Sequence, residues 1–258
     1  MMPKEIEASL VHPNERRYFR LSMIITILIY AALIITIKGL LYIAVAAVIS
    51  LFLRGLYIGS IRANGIRVSH SQFPEVYRIA INLAAKMEVT PLPAIYVLQA
   101  GGVLNALATK LVGVNYVIIY SDVLELAYEE QGEDALTFIL SHEMAHIKRN
   151  HVMWHMLFAP ARLLMASSYT RACEYTCDRY GAYYCPHGAV NGLLIMAAGT
   201  RLYRQVNPKE LSNQVYTERG IWVKLAESLS THPNLSKRLQ AVEEYLSRQP
   251  IKDRKRDI

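Results

Sequence analysis

The stretch ILSHEMAHIKRNH, residues 139–151, sets three ionisable side chains into a pattern that calls for burial. Ile139, Leu140, Met144, Ala145 and Ile147 recur at helical spacing, and His142, Glu143 and His146 stand among them. Burying such groups without a partner is costly, so this helix needs something to pair with them. Residues four apart on an α-helix project about 40° from one another, so His142 and His146 share a face. That spacing lets two imidazoles reach one zinc ion, with Glu143 beside them to take a proton from the water it activates.

A catalytic zinc needs a third protein ligand and one open position. No third histidine follows at short spacing. RACEYTCDRYG, residues 171–181, instead carries Glu174 and Asp178, four apart and so on one face of another helix. Glu174 can supply the third ligand, and Asp178 can hold the other ring nitrogen of a ligand histidine. His151 and His155 repeat the four-residue spacing. On a helix continued from His142 they fall about 180° and 220° around, so they are expected at the surface or against a membrane. The three cysteines, Cys173, Cys177 and Cys185, are too few and too odd in number for a disulfide framework and fit a reducing compartment. Cys173 and Cys177 flank the acidic pair and are expected to fill core space.

The chain of 258 residues has a formal net charge of +7, and its hydrophobic fraction of 53% is concentrated rather than spread. Leu21 to Leu53 is almost wholly apolar, broken by Lys38 and Gly39. The run from Leu21 to Ile37 would be about 26 Å long as a helix, close to the minimum for a bilayer span. Two spans turning at Lys38–Gly39 are therefore expected, with two buried core helices as the soluble alternative. The apolar run starts late and no small-residue cleavage site follows, so it does not resemble a secretory signal. Arg16, Arg17 and Arg20 precede the hairpin, Arg54, Arg62 and Arg67 follow it, and only Lys38 lies in the turn. The positive-inside rule then puts both ends in the cytoplasm, with the arginines at lipid headgroups. This predicts a multi-pass protein of the cell (inner) membrane with a cytoplasmic domain. No clustered basic-aromatic pattern points to nucleic acid.

The expected organisation is a polar cytosolic lead (1–20), a transmembrane hairpin (21–60), one domain (61–249) and a charged, solvated tail (250–258). Within the domain, Gln72–Val89 has helical periodicity, and PAIYVL, VLNALAT and NYVIIY read as strands of a small antiparallel sheet. Ser121 or Asp122 can cap a further helix. Helices are expected from Glu133 or Asp134 past His151, over Ser167–Tyr184, over Ala189–Val206, and from after Pro233 to Gln249–Pro250. MLFAPARLLMA and LLIMAAG are too short to span and are expected as core helix, with contact to the membrane surface as the alternative for the first. The fold class is mainly α with a small antiparallel sheet (α+β).

SHEMAHIKRNH, ACEYTCDRYGA, GGVLNALAT and STHPNLSKRL together resemble the HtpX-like membrane zinc metallopeptidases and the related CAAX prenyl endopeptidases, which are gluzincins. The resemblance runs from about Arg67 to the end of the last helix. It implies one catalytic Zn2+ held by His142, His146 and Glu174, with Glu143 as general base and Asp178 as the acid behind a ligand. Asn105 and Ala106 match a motif at the substrate cleft, where a strand pairs with the substrate backbone. His232 matches a cleft histidine and is assigned to oxyanion stabilisation. Arg238 is expected to pair with a cleft carboxylate, Asp178 being the candidate.

The chain departs from these relatives in one respect. The interval from His146 to Glu174 is 28 positions and holds no credible span, whereas the relatives carry additional membrane helices. An open cleft on a membrane-tethered domain is expected rather than a chamber for prenylated substrates. The expected activity is zinc endopeptidase cleavage of membrane-associated polypeptides in quality control. The alternative is a catalytically silent adaptor that binds peptides. The oligomeric state is not legible.

Overall fold

The computed structural model describes residues 2–99, 106–125, 132–161 and 167–248. Helix α1 (Lys4–Leu10) is followed by α2 (Pro13–Ile34) and α3 (Ile37–Asn64). Strand β1 (Ile66–Arg67), helix α4 (Pro74–Met87) and strands β2 (Ala94–Leu98), β3 (Ala106–Leu111) and β4 (Val114–Tyr120) come next. Eight helices follow: α5 (Ser121–Leu124), α6 (Gly132–Lys148), α7 (His151–Leu157), α8 (Ser167–Tyr184), α9 (Pro186–Leu202), α10 (Pro208–Thr217), α11 (Ile221–Leu229) and α12 (Leu235–Arg248).

The hairpin turns at Ile35–Thr36, two residues before Lys38. Thr36 has extended backbone angles and its Oγ1 accepts the Gly39 N–H at 2.9 Å, which makes it the N-cap of α3. Gly39 belongs to the first turn of that helix, where a Cβ would stand 1.9 Å from the Leu33 carbonyl oxygen. Both helices leave large apolar side chains uncovered, among them Ile27, Leu28, Val48 and Phe52. Their most apolar stretches have mean hydropathies of 1.6 and 2.1. Two helices of this length and composition fit a membrane anchor. Residues 1–20 are not a free lead: α1 and the first turns of α2 pack on α8, burying Leu10 and Glu15.

The sheet is mixed, with strand order β1-β2-β4-β3. β3 pairs antiparallel with β4, but β4 lies parallel to β2, so the all-antiparallel expectation is corrected. The cause is strand order. The β3–β4 hairpin closes through Val112 and Gly113, both at positive φ as a tight hairpin turn requires. It inserts β4, not β3, beside β2, and two reversals return β4 to the direction of β2. The residue pattern fits this: β4 is buried continuously from Tyr116 to Ile119, as a central strand must be, while β3 stays half-exposed at the edge. Val117 and Ile119 face the main core with α4 and α6. Tyr116 and Ile118 face Ile58 and Ile61 from the end of α3, so the apolar hairpin is seated on the sheet.

Helices α6, α8 and α9 form the centre of the domain. They approach closely because Gly181 of α8 and Gly192 of α9 clasp the Phe138 ring of α6. A Cβ at these positions would come within 2.7 Å and 2.5 Å of that ring. Phe138 is one turn before His142, so this contact sets the distance between the helices that bear the two polar motifs. Helices α10 and α11 were not expected. α10 is short and polar but well capped, Asn207 Oδ1 accepting from the Lys209 and Glu210 N–H groups ahead of Pro208. Gly181→Ala and Gly192→Ala should each cost about 1–3 kcal/mol by overpacking. Urea unfolding would measure this, and the Phe138→Leu background should recover part of the loss.

Candidate metal centre

Helix α6 buries Ser141 to Ile147 without interruption, so His142, Glu143 and His146 lie inside the protein. The ring nitrogens His142 Nε2 and His146 Nε2 are 3.3 Å apart. Across from them α8 brings Glu174, whose Oε2 is 3.5 Å from His142 Nε2 and whose Oε1 is 3.4 Å from His146 Nε2. Ligands of a tetrahedral zinc bonded at about 2.05 Å stand about 3.4 Å apart, so this donor set has the spacing one such ion requires. The Cys177 sulfur also lies within 4.8 Å of donor atoms of both histidines. Burial holds the Cys177 thiol well above its ordinary pKa. A protonated thiol is a poor ligand.

Behind the histidines stands a second layer. Asp178 Oδ1 faces His142 Nδ1 at 3.0 Å. Arg238 of α12 forks onto the same carboxylate, Nε to Oδ2 at 2.8 Å and Nη2 to Oδ1 at 2.7 Å, and its Nη1 lies 3.6 Å from Glu174 Oε2. Asp178 is pulled below the usual carboxylate range: burial alone would raise it, but Arg238 and His142 overcome that. Glu174 is likewise held well below, its burial outweighed by the two histidines. Burial would lower His142, yet hydrogen bonds to Asp178 and Glu174 push it up to about 10. The site is thus a buried set of compensating charges rather than three isolated polar groups.

Glu143 lines an open cleft with His142, His146 and Glu174. Ala106, Leu107 and Ala108 of the edge strand β3 form part of its wall. His232 is at the rim, 61% exposed, with Nε2 at 3.7 Å from Glu174 Oε2 and Nδ1 at 3.0 Å from Thr231 Oγ1. Asn105 lies outside the described residues, as do the expected tail (250–258) and residues 162–166 of MLFAPARLLMA.

His151 and His155 are not where helical continuation from His142 would place them. The helix does not run past His151: it stops at Lys148, and Asn150 takes a left-handed conformation (φ 55°) before α7 begins. A basic last turn followed by Asn is a stop signal present in the sequence. The break turns His151 back into the core, where it is fully buried with Nδ1 at 3.2 Å from His146 Nδ1. Burial, aided by the nearby His146, outweighs the attraction of Glu15 and lowers His151 to about 4, so the ring is neutral. His155 lines the cleft. Glu15 is the other residue that the spacing argument missed, since its partners lie more than 130 positions away.

Two imidazoles and a carboxylate converge in a cleft beside an edge strand, a donor set that could hold a metal ion. The description of peptidase family M48 matches residues 70–166 and 153–246, most of the chain beyond the apolar hairpin. The chain therefore belongs to peptidase family M48, a family of zinc metallopeptidases that takes in the HtpX-like and CAAX-type proteases. Comparisons with curated proteins and with solved structures return no match.

The pKa pattern has a measurable consequence. Because His142 titrates near 10 without an ion, it carries a proton at pH 7–8 that a metal must displace. Zinc binding should release at least about one proton, and apparent affinity should fall as pH is lowered. Calorimetry in two buffers of different ionisation enthalpy measures the release. A proton count of zero would contradict the charge pattern.

Proposed function

We propose that this protein is a membrane-anchored zinc endopeptidase whose cleft lies on the cytoplasmic side of the cell membrane and cleaves membrane-associated polypeptides in quality control. The observation that carries this reading is the spacing of His142, His146 and Glu174 around one point, with Glu143 in the same cleft.

When bound, zinc would polarise the scissile carbonyl and acidify the attacking water. Glu143 takes the proton of that water and passes it to the departing amine. His142 is oriented through Nδ1 by Asp178, itself fixed by the Arg238 fork, so the ring presents Nε2 to the metal. His232, at the rim beside Glu174, is placed to donate to the oxyanion. The substrate chain is proposed to add to the free edge of β3 through Asn105 and Ala106, in the manner of β-augmentation. The strand order supports this, since among the described residues β3 pairs with β4 on one side only.

The arginines around α2 and α3 support the cytoplasmic orientation, and the short interval between the ligand helices supports an open cleft. Lipid is the proposed partner of the anchor. Substrate sequence is left to experiment: casein digestion by the purified protein should stop on chelation. Glu143→Gln should lower turnover about 10²–10⁴-fold while zinc content stays at one ion per chain. A Glu143→Gln variant that digests casein at the wild-type rate would remove Glu143 from the mechanism. Full zinc occupancy in Glu174→Ala would remove Glu174 from the ligand set.

A further inference from the structure

We propose that His151 and Glu15 form a second support for the metal centre, fixing the tautomer and orientation of His146, so that the first turn of the apolar helix α2 is part of the zinc scaffold. The inference rests on the reading of His142, His146 and Glu174 as the ligands.

A ligand histidine that gives one nitrogen to a metal needs a partner for the other. For His142 that partner is Asp178. His146 has no carboxylate there: its Nδ1 is 3.2 Å from His151 Nδ1. Two ring nitrogens can bond only if one donates and the other accepts. With Nε2 committed to metal, His146 carries its proton on Nδ1, so His151 Nδ1 is the acceptor. The Cys177 sulfur lies 3.6 Å from that same nitrogen. The His146 contact therefore requires a neutral His151 with its proton on Nε2.

That Nε2 makes no tight hydrogen bond and faces Glu15 Oε1 at 3.4 Å. Glu15 is a buried carboxylate, held from its other sides by Arg149 Nη2 at 3.0 Å and by the Thr176 hydroxyl. Thr176 Oγ1 in turn accepts the His12 N–H at 2.9 Å, which ties the entry to α2 onto α8. The run His146–His151–Glu15–Arg149 therefore has the logic of His142–Asp178–Arg238, lengthened by one imidazole. A separate cation held by Glu15, His151 and Cys173, whose donor atoms lie within 4.8 Å of one another, is the competing use of these groups. Arg149 already neutralises Glu15, so the hydrogen-bonded run fits better.

The test uses the purified full-length protein in detergent micelles. Zinc affinity is measured by chelator competition, and cobalt-substituted protein gives the visible spectrum of the ligand field. Glu15→Gln and His151→Leu should weaken zinc binding about 10- to 100-fold and shift the cobalt bands, with metal-free thermal unfolding followed alongside. In the wild-type zinc protein, long-range 1H–15N spectra of labelled histidines should show His151 protonated on Nε2, an arm that needs no variant. Folded variants with wild-type zinc affinity, or a wild-type His151 protonated on Nδ1, would overturn the proposal. A wild-type protein that binds no zinc would instead bring down the ligand assignment beneath it, and so separates the two failures.

Discussion

The structure depends on the mutual neutralisation of buried charges between α6 and α8. His142, Glu174, Asp178 and Arg238 are all within the protein interior, and each would be prohibitive there alone. Together they form an alternating set in which the raised His142 and the lowered carboxylates are two views of one balance. The balance holds only at one relative placement of the helices, because hydrogen bonds of 2.7–3.0 Å tolerate little displacement. The apolar clasp of Gly181 and Gly192 on Phe138 supplies that placement. Packing and electrostatics are thus not separate contributions here: a domain that packs α6 on α8 also assembles a metal-ready donor set.

How much of this was legible in the sequence depends on whether a signal was local. The pairs His142/His146 and Glu174/Asp178 announce themselves through a four-residue period, and Ser167–Tyr184 forms as the pattern indicates. The strand order did not announce itself as readily, though β4 is apolar at consecutive positions where β3 has Thr109 and Lys110. His151 went wrong for a nameable reason. The surface position assumes a helix that continues through Asn150, whereas that left-handed residue ends it and redirects everything after it. Glu15 could not be found by any local rule. It reads as an ordinary acidic residue in the first turn of a helix, and its partners Arg149, His151 and Thr176 are brought to it by tertiary packing.

The apolar hairpin is more than an attached anchor. The end of α3 covers one face of the sheet with Ile58 and Ile61, and the start of α2 covers α8. Phe19 sits against Trp154, Phe158 and Tyr169, joining the anchor helix to α7 and α8. Anchor and domain therefore share a core, and a boundary drawn at residue 60 would cut through it.

That shared core bears on how the cleft meets its substrate. Among the described residues, the cleft is walled by β3 on one side and by Thr231 and His232 on another. An edge strand with unpaired backbone groups is a liability unless it is covered or used. On the proposed reading it is used, and the selectivity of the site follows from it: backbone pairing takes an extended segment of almost any sequence, while a folded polypeptide has no free strand to offer. On that reading, discrimination between folded and unfolded chains would come from the need for an extended segment to pair with β3.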